Sequence, residues 1–381
     1  MHLVDRSTDL PPLVDALRGK QRFFLDTEFE STRAGTTLSL VQIHDGSDVH
    51  VVDALRLGKL SVLGEALGQP NCEWILHAGQ QDVPLLTAQL GLSRLPRVLD
   101  TQIAWACCSP EASVSLAYLE MVLLGKRRAK GHQADDWKRR PLPASQLAYA
   151  AEDVANLPAL LDAILPRLQR LDRVEIAFEA SQELLEPEIE APRRLRLSDF
   201  RNAWQLDAGQ QAALHFLLDW HASLSDARAQ RAPDAKTLMS IAARLPKNAR
   251  ELSRIKGVPQ RLADAEGAAL CAGLARAAAG ADQEGFEPIF PPPYATFGDI
   301  RREGWLAHAR AELAASLEIA PELLMPSRVV KSLRAAWEDT GSLQAALDEL
   351  RGFRRKLLAP ALREFAQSNP VPENAAVAAS A

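Results

Sequence analysis

The strongest constraint on this chain is one short segment. Residues 23–29 read Phe-Phe-Leu-Asp-Thr-Glu-Phe, an apolar and aromatic run holding two acids. Such a run suits a strand, where successive side chains alternate between faces. Asp26 and Glu28 therefore project from the same side of a sheet. Two carboxylates on one face of an apolar strand are costly unless something neutralises them. For a lone Asp-x-Glu, exposure on an edge strand is the simpler account. Here Phe23, Phe24, Leu25 and Phe29 imply a buried strand, which points to a bound cation.

Further strand signals follow at Leu38–Ile43 and Val49–Val52, joined through Asp45-Gly46, a hairpin turn pair. Trp74-Ile75-Leu76 reads as a buried strand, followed by a helix near 81–90, a strand at Arg97-Val98-Leu99 and helices near 101–107 and 114–124. A long helical segment begins close to Ala144. Three antiparallel strands followed by alternating helix and strand predict a mixed α/β sheet with helices on its faces. From about 172 strand signals nearly vanish and Ala, Leu and Arg dominate, so the remainder is expected to be all-α.

At 381 residues the chain calls for more than one domain. We expect a first domain over 1–180 and a linker over 181–204, marked by the proline-punctuated Glu186–Pro192. A helical unit over 205–282, a Pro-rich linker over 283–296, a second helical unit over 297–367 and a disordered tail over 368–381 complete the expected organisation. The N-terminus lacks a signal-peptide pattern, and no apolar run nears the roughly 20 residues of a membrane helix. Cys72, Cys107, Cys108 and Cys271 show neither paired nor metal-binding spacing, so reduced thiols and a cytoplasmic location are expected. With a net charge of −5, any nucleic-acid contact must come from local basic clusters.

Other residues carry chemistry only in combination. Tyr149 and Asp153 are four apart in a helical segment and share a face, with small alanines around them. Alone, the pair fits a half-buried tyrosine beside a solvated acid equally well. Asp82 is either a ligand or a first-turn acid favoured by the helix dipole. Asp100, in Leu99-Asp100-Thr101, reads as an N-cap.

LDTEF at 25–29, HAGQQD at 77–82 and YAAED at 149–153 resemble, in order and spacing, the three exonuclease motifs of the DEDD superfamily, Tyr-containing branch. VLDTQIA at 98–104 and DWKRRPL at 136–142 resemble the ribonuclease D family in particular. The resemblance covers about the first 170 residues and implies an RNase H-like mixed-sheet nuclease domain. It implies that Asp26, Glu28 and Asp153 bind one divalent cation, and that Asp26 shares a second with Asp82. Two cations about 3.5–4 Å apart would activate water and relieve charge on the leaving 3′ oxygen. All-oxygen ligation suits Mg²⁺ or Mn²⁺. Tyr149, with an ordinary pKa of about 10, would be a hydrogen-bond donor that positions the attacking water. His77 falls within the second motif, although a core or loop role suits it better.

Lys126-Arg127-Arg128-Ala129-Lys130 and Lys138-Arg139-Arg140 flank the approach to the third motif. Of these, Arg127, Arg128, Lys130, Lys138 and Arg139 are candidates for phosphate contact, against the alternative of a solvated loop. Gln42 and Gln102 are further candidates for substrate contact. Trp137 is either a base-stacking residue or a core aromatic. The unit at 205–282 resembles the HRDC domain, on Leu217-Leu218-Asp219-Trp220, Ala242–Pro246 and Glu251–Val258. Lys256, beside Gly257 in a tight turn, is its candidate phosphate contact. Residues 297–367 resemble a second, diverged HRDC-type bundle with a basic end at Arg351, Arg354, Arg355 and Lys356.

The resulting expectation is a 3′→5′ exoribonuclease that removes nucleotides from RNA 3′ ends, tRNA precursors above all, and releases 5′-monophosphates. No membrane and no obligate protein partner is implied. The alternatives are the same chemistry on DNA and an inactive nucleic-acid-binding scaffold.

Overall fold

The computed structural model describes residues 1–381 except 33–34, 129–135, 186–195, 201, 225–227, 229–230, 282–286, 292–295 and 371–381. Two compact units result: residues 1–188 together with 295–381, and residues 189–294.

The first unit is built on a six-stranded sheet. Its strands are β1 (His2–Val4), β2 (Arg22–Thr32), β3 (Gly35–His44), β4 (Val49–Asp53), β5 (Glu73–Leu76) and β6 (Arg97–Asp100). Their order is β1-β4-β3-β2-β5-β6. The pairs β2–β3 and β3–β4 are antiparallel, whereas β1–β4, β2–β5 and β5–β6 are parallel. The β3–β4 hairpin turns at Asp45-Gly46, where the Asp45 carboxylate accepts from the Ser47 and Asp48 N–H groups and Gly46 takes φ +96°. β1 and the helix α1 (Leu10–Leu17) go beyond the sequence expectation. Three residues are too few for alternation to register, and α1 opens with two prolines.

β2 lies inside the sheet, between β3 and β5, so exposure on an edge does not account for its acids. Phe23 and Leu25 face one layer with Trp74, Leu76, Val41 and α1. Phe24 faces the other layer, with Ile75 and Leu99. Asp26 and Glu28 continue that second face, two and four residues on. Helices α2 (Asp82–Leu90), α3 (Thr101–Ala106), α4 (Leu116–Leu124), α5 (Ala144–Ala155), α6 (Leu157–Arg170) and α7 (Val174–Leu185) complete the domain. α7 runs past residue 180, where the first domain was expected to end.

Five helices from the C-terminal part join the same unit: α12 (Phe297–Ser316), α13 (Pro321–Leu324), α14 (Ser327–Thr340), α15 (Leu343–Asp348) and α16 (Gly352–Ser368). One continuous apolar core runs from Phe24 and Leu99 through α6 to Trp305, Trp337 and Leu362. Polar groups lock this junction. The Ala320 N–H donates to Ala106 O at 2.8 Å. Buried Arg173 donates to Cys107 O at 2.7 Å, to Glu318 O at 3.1 Å and to Leu317 O. Arg354 pairs with Glu183 at 2.7 Å and Lys356 pairs with Glu179. Much of the basic end read from the sequence is thus spent holding α16 against α7.

The second unit holds α8 (Ala208–Ala222), α9 (Ala235–Arg244), α10 (Ala249–Ser253) and α11 (Gln260–Ala279) around its own core of Leu214, Leu217, Leu238, Leu252, Ile255 and Leu274. Gly257 closes the turn after α10 at φ +96°, where a Cβ would meet Thr237 Oγ1 at 2.3 Å, so only glycine fits. The expected tail over 368–381 lies outside the described residues from 371 on. Among the described residues no helix is long and apolar enough to cross a membrane.

Arg173→Met keeps the aliphatic stem but removes every donor to those three carbonyls. We expect it to cost about 2–4 kcal/mol, the penalty for stranding buried polar groups. Urea unfolding would show it as a lower midpoint for the first unit, and an unchanged midpoint would mean that the junction is held by apolar packing alone.

Candidate metal centre and nucleic-acid cleft

The site forms where β2, the loop after β5 and helix α5 meet. Each acid is placed by a local device. Asp26 and Glu28 flank the midpoint of β2, just before a register shift at Glu28/Phe29. Such a bulge re-aims side chains beside a site without breaking the sheet. Asp82 opens α2 after the sharp turn at Ala78 (φ +56°) and Gly79. That turn is braced by Asp100, whose carboxylate accepts from Ala78 N at 3.0 Å and Gly79 N at 2.9 Å. It also caps α3 through Gln102 N at 2.8 Å, as the sequence reading expected. Asp82 accepts a hydrogen bond from Thr27 Oγ1, a partner that sequence spacing did not reveal. Helix α5 crosses β2, β3 and β4 and presents Tyr149 and Asp153.

Asp26, Glu28, Asp82, Tyr149 and Asp153 all line one open cleft of about 380 Å³, together with His77, Gln102, Ser115 and Arg128. Carboxylate oxygens of Asp26, Glu28 and Asp153 lie within 4.8 Å of one another. Burial pushes the Asp26 carboxyl well above its ordinary value, and the charges of Asp82, Asp153 and Glu28 push it further. Glu28 rises from 4.5 to about 8, first through burial and then through Asp153 and Asp82. Asp153 rises to about 6 through burial, held down by Arg128. Asp82 is also raised by burial, with its Thr27 hydrogen bond opposing. Burial and the Asp153 charge lift Tyr149 to about 12, so its hydroxyl stays protonated at neutral pH. Acids that cannot share negative charge, with oxygen as the donor atom throughout, fit a hard divalent cation.

The remaining predicted residues separate sharply. Gln42 is a correction: it is wholly buried in β3, in register with Asp26, and cannot touch substrate. Gln102 lines the cleft, but its Nε2 is spent on Val114 O at 2.8 Å. His77 likewise lies against the cleft with its ring nitrogens at Thr101 Oγ1 (2.9 Å) and Val114 O (3.0 Å), a loop-bracing role. Trp137 is buried beside Leu40, Val51 and Ala150, its ring 6.2 Å from that of Tyr149, and so is a core aromatic. Arg127, Lys138 and Arg139 are exposed, with Lys138 paired to Glu30. Lys130 lies outside the described residues. Lys256 is exposed in the second unit. Arg140 turns inward and grips Asp53 through two nitrogens at 2.5 and 2.7 Å, which ties the 136–142 loop to the end of β4.

Known proteins place this geometry. The family described as 3′-5′ exonuclease matches residues 1–169. Ribonuclease D of Gluconacetobacter diazotrophicus is 31% identical over 268 residues, covering 69% of this chain and 68% of that protein. The chain belongs to the ribonuclease D family. Ribonuclease D of Escherichia coli is 29% identical over 380 residues, covering 95% of this chain and 97% of its own length. The crystal structure of Escherichia coli RNase D superposes with a TM-score of 0.77 at 26% identity, over 97% of this chain and 99% of that one. Family membership makes this protein a 3′→5′ exoribonuclease, a hydrolase with a mixed α/β nuclease domain and a mostly helical remainder.

Without a cation the folded site binds more protons than the unfolded chain between the ordinary carboxylate range and about pH 8. Stability of the metal-free protein should therefore fall as pH rises across that window. Thermal unfolding in EDTA at pH 5 and pH 8, repeated with added Mn²⁺, would test this. The metal should raise Tm more at the higher pH, and equal increments at both would count against a carboxylate metal site.

Proposed function

We propose that this chain removes nucleotides from RNA 3′ ends by hydrolysis with two divalent cations, Mg²⁺ or Mn²⁺, releasing 5′-monophosphates. The convergence of Asp26, Glu28 and Asp153 oxygens within 4.8 Å, beside a protonated tyrosine, carries this reading. Asp26, Glu28 and Asp153 would hold one cation, and Asp26 with Asp82 the other. The bound cations would supply an activated water and charge relief at the leaving oxygen. Tyr149 holds its proton and donates to the attacking water, orienting it toward phosphorus. Thr27 fixes the Asp82 rotamer, and Asp100 fixes the loop that delivers it.

Precursor tRNA is the substrate we favour. The Escherichia coli relative, named as an exoribonuclease involved in structured RNA processing, supports a folded RNA with a trimmed 3′ end. Exposed Arg127, Lys138 and Arg139 are proposed phosphate contacts around the first unit, with Lys256 beside the Gly257 turn of the HRDC-like second unit.

Tyr149→Phe is expected to lower turnover about 10²–10³-fold, the usual worth of one preorganised hydrogen-bond donor at a reacting group, with Mn²⁺ affinity retained. Loss of metal affinity in that variant would contradict the water-positioning role. Asp26→Ala should abolish release of monophosphate from 3′-labelled RNA. An equal rate on single-stranded DNA would replace the RNA assignment with a broader one, and activity surviving in Asp26→Ala would remove the two-cation assignment.

A further inference from the structure

One buried acid next to the cleft is not accounted for by the metal centre. Glu120, on α4, is fully buried and is not part of the cleft wall. Its Oε1 accepts from Asn156 Nδ2 at 3.0 Å, and Asn156 Oδ1 accepts from Lys126 Nζ at 2.5 Å. Its Oε2 lies 2.8 Å from Arg128 Nε. The same guanidinium reaches the other way, where Nη1 donates to Asp153 Oδ1 at 2.7 Å. The Arg128 side chain is only 14% exposed, and it is the one Lys or Arg in the cleft wall among the described residues.

We infer that Arg128, anchored on Glu120, is a resident counter-cation that a divalent metal must displace from Asp153. This rests on the reading of Asp153 as a metal ligand. A guanidinium keeps its charge at any working pH, so it cannot vacate the site by losing a proton. A metal arriving on Asp153 therefore meets a fixed positive charge within a few bonds' length and must compete with a charge-assisted hydrogen bond. Glu120 does not take part in that competition. It is paired on both oxygens, and its hold keeps Arg128 in the cleft wall once Nη1 is released. Two consequences follow from one ion-pair network. The metal-free fold is relieved of part of the repulsion among its acids. The metal, in turn, binds more weakly than the acids alone would bind it.

The test measures Mn²⁺ binding to the full chain without nucleic acid, by electron paramagnetic resonance of the free ion. Wild type is compared with Arg128→Met/Glu120→Gln, which removes the network without stranding Glu120 as an unpaired buried charge and leaves Asp153 without its resident counter-cation. The double variant should bind its first Mn²⁺ about tenfold more tightly, the scale of one charge-assisted hydrogen bond. Its metal-free Tm should fall below that of wild type, and the difference should narrow at saturating Mn²⁺. Equal or weaker Mn²⁺ binding by the double variant would overturn the inference. Should the double variant fail to fold by circular dichroism, Arg128→Gln, which retains amide donors toward Glu120, makes the same comparison with the same two outcomes. Asp153→Asn in the wild-type background separates the two levels: if it leaves Mn²⁺ affinity unchanged, the ligand assignment itself fails, whatever Arg128 does.

Discussion

Mutual repulsion among carboxylates confined to one cleft is the interaction on which the rest of this structure depends. Asp26, Glu28, Asp82 and Asp153 come from three separate stretches of chain, yet each is delivered to the same wall. Burial alone makes their ionised forms costly, and proximity adds to the cost. Tolerating that arrangement demands a rigid frame. The frame is a central strand with a bulge at Glu28/Phe29, a loop braced by Asp100, and a helix laid across three strands. A cation site on such a frame is pre-formed, which is what hydrolysis at a scissile phosphate requires.

The helical remainder takes part in that rigidity. Trp305, Trp337 and Leu362 extend the same core that begins at Phe24. Arg173 satisfies main-chain carbonyls at the ends of two helices from distant parts of the sequence. The α5–α6 segment that carries Asp153 and Asn156 is thus backed by helices more than a hundred residues downstream. Basic residues divide accordingly. Arg173 and Arg354 are buried and structural, whereas Arg127 and Arg139 are exposed.

Much of the site was legible from residue order. The Asp26–Glu28 spacing and the Tyr149–Asp153 spacing each place two groups on one face, because strand and helix periods are set by the backbone. Asp100 was legible as a cap for the same local reason. Asp82 was ambiguous by itself, since a first-turn acid and a cleft acid have the same sequence signature. Gln42 was misread: alternation puts it on the face of Asp26, but does not say that α5 seals that face. The basic end near Arg354 carried no sign of Glu179 and Glu183, about 170 positions earlier.

What the sequence by itself determined are the short-range facts: the strands and helices that carry the site, which side chains share a face, and which motifs recur together in one family. These follow from backbone geometry and local chemistry and need no knowledge of the fold. Only the tertiary structure decided which acids meet, that β2 is interior rather than an edge, that Thr27 serves Asp82, and that Arg128 bridges Glu120 to Asp153. Those facts depend on packing between segments far apart in the chain, where burial and Coulomb interaction act through space and leave no period in the sequence. The pair of acids in β2 is readable in a line of letters. The cation that pairs with Asp153 beside them is readable only in three dimensions.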